Sequence, residues 1–282
     1  GLGFNVVLDP VLIFGIGPFP ELGVSGAAAA TVTAQALVSL LFFKAVLREK
    51  VLFPHLRLWV LVPVKVWREI VRIGVPSAVQ NLIYAGISMI LTRLITGWGD
   101  LAVAAQRVGS QIESVSWMVG DGFSAAVNAF LGQNYGAKRY DRVRRGYFCA
   151  IAMTAAWGLC TTFLLIGMAR PLFSIFLHEE KVMAIGVNYL RIVGLSQMFM
   201  MVEQTSIGAF SGLGRTLYPS IVSVTFTSAR IPVAVLLSSV MGLSGIWWAL
   251  SISSMVKGCI LFVSFVVFLY VFLERKKDEE TV

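Results

Sequence analysis

Gly23-Val24-Ser25-Gly26 and Gly242-Leu243-Ser244-Gly245 are near-copies of one another, and each opens a long apolar run. Ahead of each lies a proline inside apolar sequence, Asp9-Pro10-Val11 in the first case and Ile231-Pro232-Val233 in the second. The pattern predicts two helix pairs of one design and one orientation. About four further apolar segments separate them, so the repeating unit is about six membrane helices. Parallel repeats of this size belong to transporter folds, in which cargo crosses between two halves. The later copy is expected to be complete and the earlier one to be represented by its last two helices. The chain, which opens on Gly1, is therefore expected to be a piece of a longer transporter whose preceding helices are its partners.

Composition leads to the same solvent independently. With 57% hydrophobic and 13% charged residues and a positive mean hydropathy, a chain of 282 residues is too apolar for a soluble domain. A membrane span needs about 20 apolar residues. Such runs cover Leu22 to Val46, Gly74 to Thr96, Leu101 to Leu131, Tyr147 to Ile175, Val182 to Ser211, Tyr218 to Val240 and Leu243 to Leu273. A shorter run, Phe4 to Ile16, precedes them. The fold class that follows is an all-α polytopic membrane bundle of about eight transmembrane helices. Residues 1–46 form the end of a first lobe, 47–72 a cytoplasmic linker, 73–273 a six-helix second lobe and 274–282 a cytoplasmic tail.

The net charge of +8 does not point to nucleic acid, because the basic residues sit on alternate connections. Lys44, Arg48, Lys50, Arg57, Lys65, Arg68 and Arg72 share one connection, and Lys138, Arg139, Arg142, Arg144 and Arg145 share another two spans later. Arg215 and Arg275-Lys276-Lys277 follow with the same alternation, whereas the opposite connections hold little beyond Arg170 and Lys181. This bias places the basic side and the C-terminus in the cytoplasm, across the cytoplasmic membrane. The stretch Val51 to Val60 mixes basic and apolar residues and suits either an interfacial helix or a plain loop.

Enzymatic chemistry finds little support. Cys149, Cys160 and Cys259 have no metal-ligand or redox spacing and read as small buried side chains. His55 and His178 stand alone near span ends, and no metalloprotease or nucleophile-elbow motif is present.

Function must then lie with polar groups at membrane depth, which are costly unless paired or facing a water-filled cavity. Asp9 has Asn5 one turn before it, and Pro10 leaves the carbonyl of Val6 without a donor. Oxygen ligands of this kind suit sodium, and a carboxylate can alternatively carry a proton. Glu113 lies in a run crowded with polar residues, including Gln106, Ser110, Ser114 and Asp121, which should face a cavity. Glu203, beside Gln204, either binds a cation or pairs with Arg230. Arg230 and Lys257 read as structural ion-pair partners of Glu113 or Glu203, with the Ser228 carbonyl freed by Pro232 as a further acceptor for Arg230. Gln80 and Asn81 are uncharged candidates for lining a cleft, and the aromatic residues, Tyr84 and Trp117 among them, read chiefly as packing.

Asn5-Val6-Val7-Leu8-Asp9-Pro10, continuing through Leu22-Gly23 to Gly26-Ala27-Ala28-Ala29-Ala30-Thr31, resembles the fifth and sixth helices of multidrug and toxic compound extrusion (MATE) transporters. Gly74-Val75-Pro76-Ser77-Ala78 is similar to the start of that family's second half. Gly132 to Ala137 and Gly208 to Thr216 resemble later stretches of it. The resemblance covers essentially the whole chain through the order and spacing of its motifs. It implies a twelve-helix, two-lobe exporter of organic cations or drugs, driven by Na+ or H+, with no cofactor beyond a bound Na+. Asp9 and Asn5, with Thr31 in the next helix, match the family's cation site in the first lobe, while a further family aspartate lies in a helix this chain lacks. A lipid-linked saccharide flippase of the same superfamily is the rival reading. It would call for a more strongly basic cleft than these mixed charges offer.

Overall fold

The computed structural model describes residues 2–18, 20–48 and 63–273. The interfacial stretch at 51–60 and the tail at 274–282 lie outside the described residues. The chain divides into two compact units, Gly1–Pro63 and Val64–Val282.

The first unit is a helix pair, α1 (Leu2–Phe14) and α2 (Gly23–Arg48). Gly23 starts α2 at φ +53°, a left-handed conformation that glycine adopts without strain. One turn on, Gly26 lies directly on the backbone of Leu12, leaving no room for a Cβ. Gly26, Ala30 and Ala34, spaced one turn apart, are the buried face of α2. A stripe of small residues lets two helix backbones approach closely, which is how membrane helices associate without a hydrophobic driving force between them.

The second unit contains α3 (Val64–Thr96), α4 (Asp100–Gly136), α5 (Tyr140–Gly167), the short α6 (Ala169–Ser174), α7 (Glu180–Gly194), α8 (Gln197–Gly212), α9 (Leu217–Met241) and α10 (Leu243–Phe268), which ends in a π-helical turn at Leu269–Leu273. Helix α8 is its axis, packed against α4, α5 and α10. Glycines make those crossings possible: Gly208 and Gly212 rest on the α4 backbone at Ser124 and Asn128, and Gly258 of α10 rests on Phe199. Tyr147, Phe210, Leu261 and Phe265 fill one end of the unit, and Phe173, Tyr189, Leu190 and Trp247 the other.

Among the described residues, five helices (α2, α3, α5, α9 and α10) are long and apolar enough to cross a membrane. The remaining expected spans fall on α1, on α4 and on α7 with α8. Helix α1 is short, at 13 residues. Helix α4 has 37 residues, about 55 Å of helix, and is too polar along its length to read as a simple apolar span. The run from Val182 to Ser211, expected as one helix, is instead broken between Gly194 and Gln197, where α7 and α8 meet at 50°, and only together are they long and apolar enough to cross a membrane. Helix α3 begins at Val64, so residues 64–72 of the expected linker are its first turns. The three cysteines, expected to be buried, all lie on exposed helix faces.

Candidate functional site

In the first unit, Asn5 Nδ2 donates to Asp9 Oδ1 at 3.1 Å, one turn apart on α1. Both side chains are half-buried. Thr31 is exposed, and its hydroxyl donates to the carbonyl of Ala27 in its own helix at 3.0 Å. The structure thus joins Asn5 and Asp9, and among the described residues no hydrogen bond links Thr31 to them.

The second unit holds a cavity of about 740 Å³. Its α4 wall carries Gln106, Ser110, Glu113, Ser114, Trp117 and Asp121, which at three- and four-residue steps form one stripe along the helix. Gln80, Asn81 and Tyr84 of α3 face the same space, as do Glu203 and Gln204 of α8, Arg230 of α9 and Lys257 of α10. Gln80, Asn81, Glu113, Glu203, Gln204, Arg230 and Lys257, the cleft-lining and ion-pair candidates of the second lobe, therefore all line one chamber. Tyr84 and Trp117 meet edge to face across it, with ring centroids 6.3 Å apart.

Each buried charge is held differently. Lys257 Nζ lies 2.7 Å from Glu203 Oε1, with side-chain exposures of only 6% and 9%. Glu113 accepts from Tyr189 Oη and Gln197 Nε2, each at 3.0 Å, so neutral donors serve this carboxylate. Arg230 donates to Ser253 Oγ at 3.1 Å and Ser254 Oγ at 2.9 Å. Among the described residues no carboxylate pairs with it. The expected pairing of Arg230 with Glu203 or Glu113 is therefore corrected. Lys257 lies one turn beyond Ser253 on α10 and takes Glu203, which leaves the serines of the preceding turn to Arg230. Among the described residues Arg230 makes no hydrogen bond to the Ser228 carbonyl.

Tyr189, Gln197, Ser253 and Ser254 were not anticipated. Gly194-Leu195-Ser196-Gln197, a glycine and two polar residues in mid-span, was the signal for the break and for a polar group beside it. The break lets Tyr189, in the second half of α7, and Gln197, at the start of α8, reach the same carboxylate.

A bundle of apolar helices around a chamber lined with buried charges of both signs is the architecture of a polytopic membrane protein of the transporter kind. The chain belongs to the MatE family, whose model matches residues 76–236, more than half of its length. It is 31% identical over 257 residues to a probable multidrug resistance protein NorM of Thermotoga maritima, covering 86% of this chain and 53% of that protein. It is 26% identical over 260 residues to an FAD transporter of Shewanella oneidensis, covering 90% of this chain and 56% of that protein. The chain thus spans about half the length of these curated relatives. It also shares its fold with a solved outward-facing multidrug resistance MATE family transporter of the MOP superfamily, at a TM-score of 0.85 and 21% identity over 97% of this chain and 61% of the other.

Proposed function

We propose that the protein is a cation-coupled exporter of organic cations or drugs in the cytoplasmic membrane, exchanging them for Na+ or H+. The observation that carries the reading is the chamber itself. Its volume suits a drug-sized ligand, and Glu113 and Asp121 on α4 stand beside the aromatic faces of Tyr84 and Trp117. Carboxylates and ring faces together are what an organic cation seeks. The names of the relatives, drug resistance proteins foremost, support export as the direction of use.

Coupling is assigned to Asp9, with Asn5 and Thr31 as neutral neighbours. The Thr31 proton is spent on Ala27, so the hydroxyl lone pairs remain for a cation. For Na+ to sit there, the Asn5 amide would turn its carbonyl oxygen toward the ion. The basic residues of alternate connections put the C-terminal end of α10 on the cytoplasmic side. A saccharide flippase suits the chamber less well, because Glu113 and Asp121 would face a diphosphate. In the full-length protein, Asp9→Asn should abolish efflux of the cationic dye rhodamine 123 from cells, with normal expression and insertion. Thr31→Ala should slow efflux by less. Normal efflux by the Asp9→Asn protein would sink the coupling role.

A further inference from the structure

Arg230 is the one charge in the chamber whose described partners are all hydroxyl groups. Ser253, Ser254 and the phenol of Tyr84 surround the guanidinium. Its neighbours differ in what they can still offer. Ser253 passes its own proton to the carbonyl of Phe226 at 2.9 Å and is saturated. Ser254 accepts from Arg230, and among the described residues its O–H has no acceptor. Ser223 lines the same wall, two turns before Arg230 on α9, and its buried hydroxyl has no partner among the described residues. Of the chamber's acids, Glu203 is already neutralised by Lys257. Glu113, within electrostatic reach of Arg230, is hydrogen-bonded by Tyr189 and Gln197 and makes no ion pair with the guanidinium among the described residues. This wall therefore keeps one net positive charge and spare O–H donors, while the α4 wall keeps the carboxylates of Glu113 and Asp121.

A buried arginine without a counter-charge is costly at membrane depth. The cost falls when water, or the anionic group of a ligand, reaches it from the chamber. We propose that the Arg230 wall is an anion subsite that seats a carboxylate of the ligand against the guanidinium and Ser254. The chamber then takes dipolar molecules, whose cationic end turns to the α4 carboxylates. The inference rests on the chamber being the ligand site, and it sets, within the organic cations, a preference for those that also carry an acid. A guanidinium can hold a carboxylate with two parallel hydrogen bonds, and charge-assisted bonds are about twice as strong as neutral ones.

Rhodamine 110, a free acid, and rhodamine 123, its methyl ester, differ only at this group. In fluorescence anisotropy titrations of the purified full-length protein, the acid should bind about tenfold tighter or better. Arg230→Gln should erase that preference by weakening the acid without weakening the ester, and Arg230→Lys should keep part of it. Ser254→Ala should reduce the preference about threefold, which gives a second reading if Arg230→Gln does not fold. Equal loss of both dyes in Arg230→Gln, or equal or absent binding of the two by the unaltered protein, would overturn the subsite. A preference for the acid without efflux of either dye from cells would leave the subsite standing and sink the exporter reading instead.

Discussion

The helix pairs α1–α2 and α9–α10 repeat one packing device and carry opposite chemistry. Each second helix follows a glycine at positive φ, Gly23 at +53° and Gly242 at +64°. Each also sets a glycine of its first turn, Gly26 or Gly245, on the backbone of the helix before it. Aligned on those glycines, Ala30 and Ala249 are both buried. The next turn differs: Ala34 in one copy corresponds to Ser253 in the other. Aligned on the prolines, Leu8 corresponds to Arg230. One copy has leucine and alanine where the other has an arginine bonded to a serine. The acid Asp9, in turn, corresponds to the apolar Ile231. Small residues fix how close two helices come, and that requirement is the same in both copies. The polar positions answer to different surroundings: Arg230 lines the chamber of the second unit, whereas Asp9 is bonded to Asn5 of its own helix.

The comparison is broken most sharply at the acids. Asp9 has a neutral partner, Asn5, whereas Glu203 is paired with a buried ammonium group. Removing one member of a buried pair leaves the other charge uncompensated, typically at about 3–5 kcal/mol. Glu203→Gln should therefore lower thermal stability in detergent by that order, and adding Lys257→Met should recover most of the loss. Asp9→Asn should leave the melting temperature nearly unchanged. Because Arg230 bonds serines, Glu203→Gln combined with Arg230→Gln should show no recovery beyond the sum of the single changes. Recovery in that double variant, and none with Lys257→Met, would mean that Arg230 is the true partner of Glu203.

The shared glycines are the next place to press. Gly26→Ala and Gly245→Ala each drive a methyl group into a carbonyl, of Leu12 and Leu237 respectively, and backbone cannot swing aside as a side chain can. Each should cost about 1–3 kcal/mol, the usual range for overpacking. Gly86→Ala in α3 is the control, since nothing lies within 4 Å of an added Cβ there. Helix propensity alone should make it neutral or stabilising by up to about 1 kcal/mol. If the repeat is a packing device, thermal melts will separate the first two variants from the third. Equal melting of all three would reduce the sequence echo to coincidence.

The repeat, the spans and the polar face of α4 were legible because each is a pattern along one stretch of chain. The stripe from Gln106 to Asp121 needs only the helical period to fall on one side. Pairings between helices are different, since they depend on how far each helix is rotated about its axis. Arg230 and Lys257 were both plausible partners for Glu203 by depth, and only the rotation of α10 decides between them. The break at Gly194–Gln197 escaped because the apolar residues on both sides keep the average hydropathy of that stretch high. The cysteines escaped for the converse reason: in a membrane bundle an apolar side chain is at no disadvantage on the outer face, so apolarity does not imply burial.

The smallest effect is expected from cysteines that only report position, yet they test both the repeat and the break. If the two helix pairs share an orientation, the short connections α1–α2 and α9–α10 emerge on one side. Glu21→Cys and Met241→Cys should then behave alike. If α7 and α8 form one bent span, His178, in the connection ahead of α7, also lies on that side. Arg215, after α8, lies on the other with Lys50 and Lys276. If α7 and α8 were two separate crossings, Arg215 would change sides and interrupt the basic alternation. An impermeant thiol reagent added to whole cells expressing the full-length protein should label cysteines at Glu21, His178 and Met241, and should spare those at Lys50, Arg215 and Lys276 until the membrane is permeabilised. Unlike labelling at Glu21 and Met241 would end the parallel-repeat reading, and labelling at Arg215 in intact cells would end the single-span reading of α7 and α8.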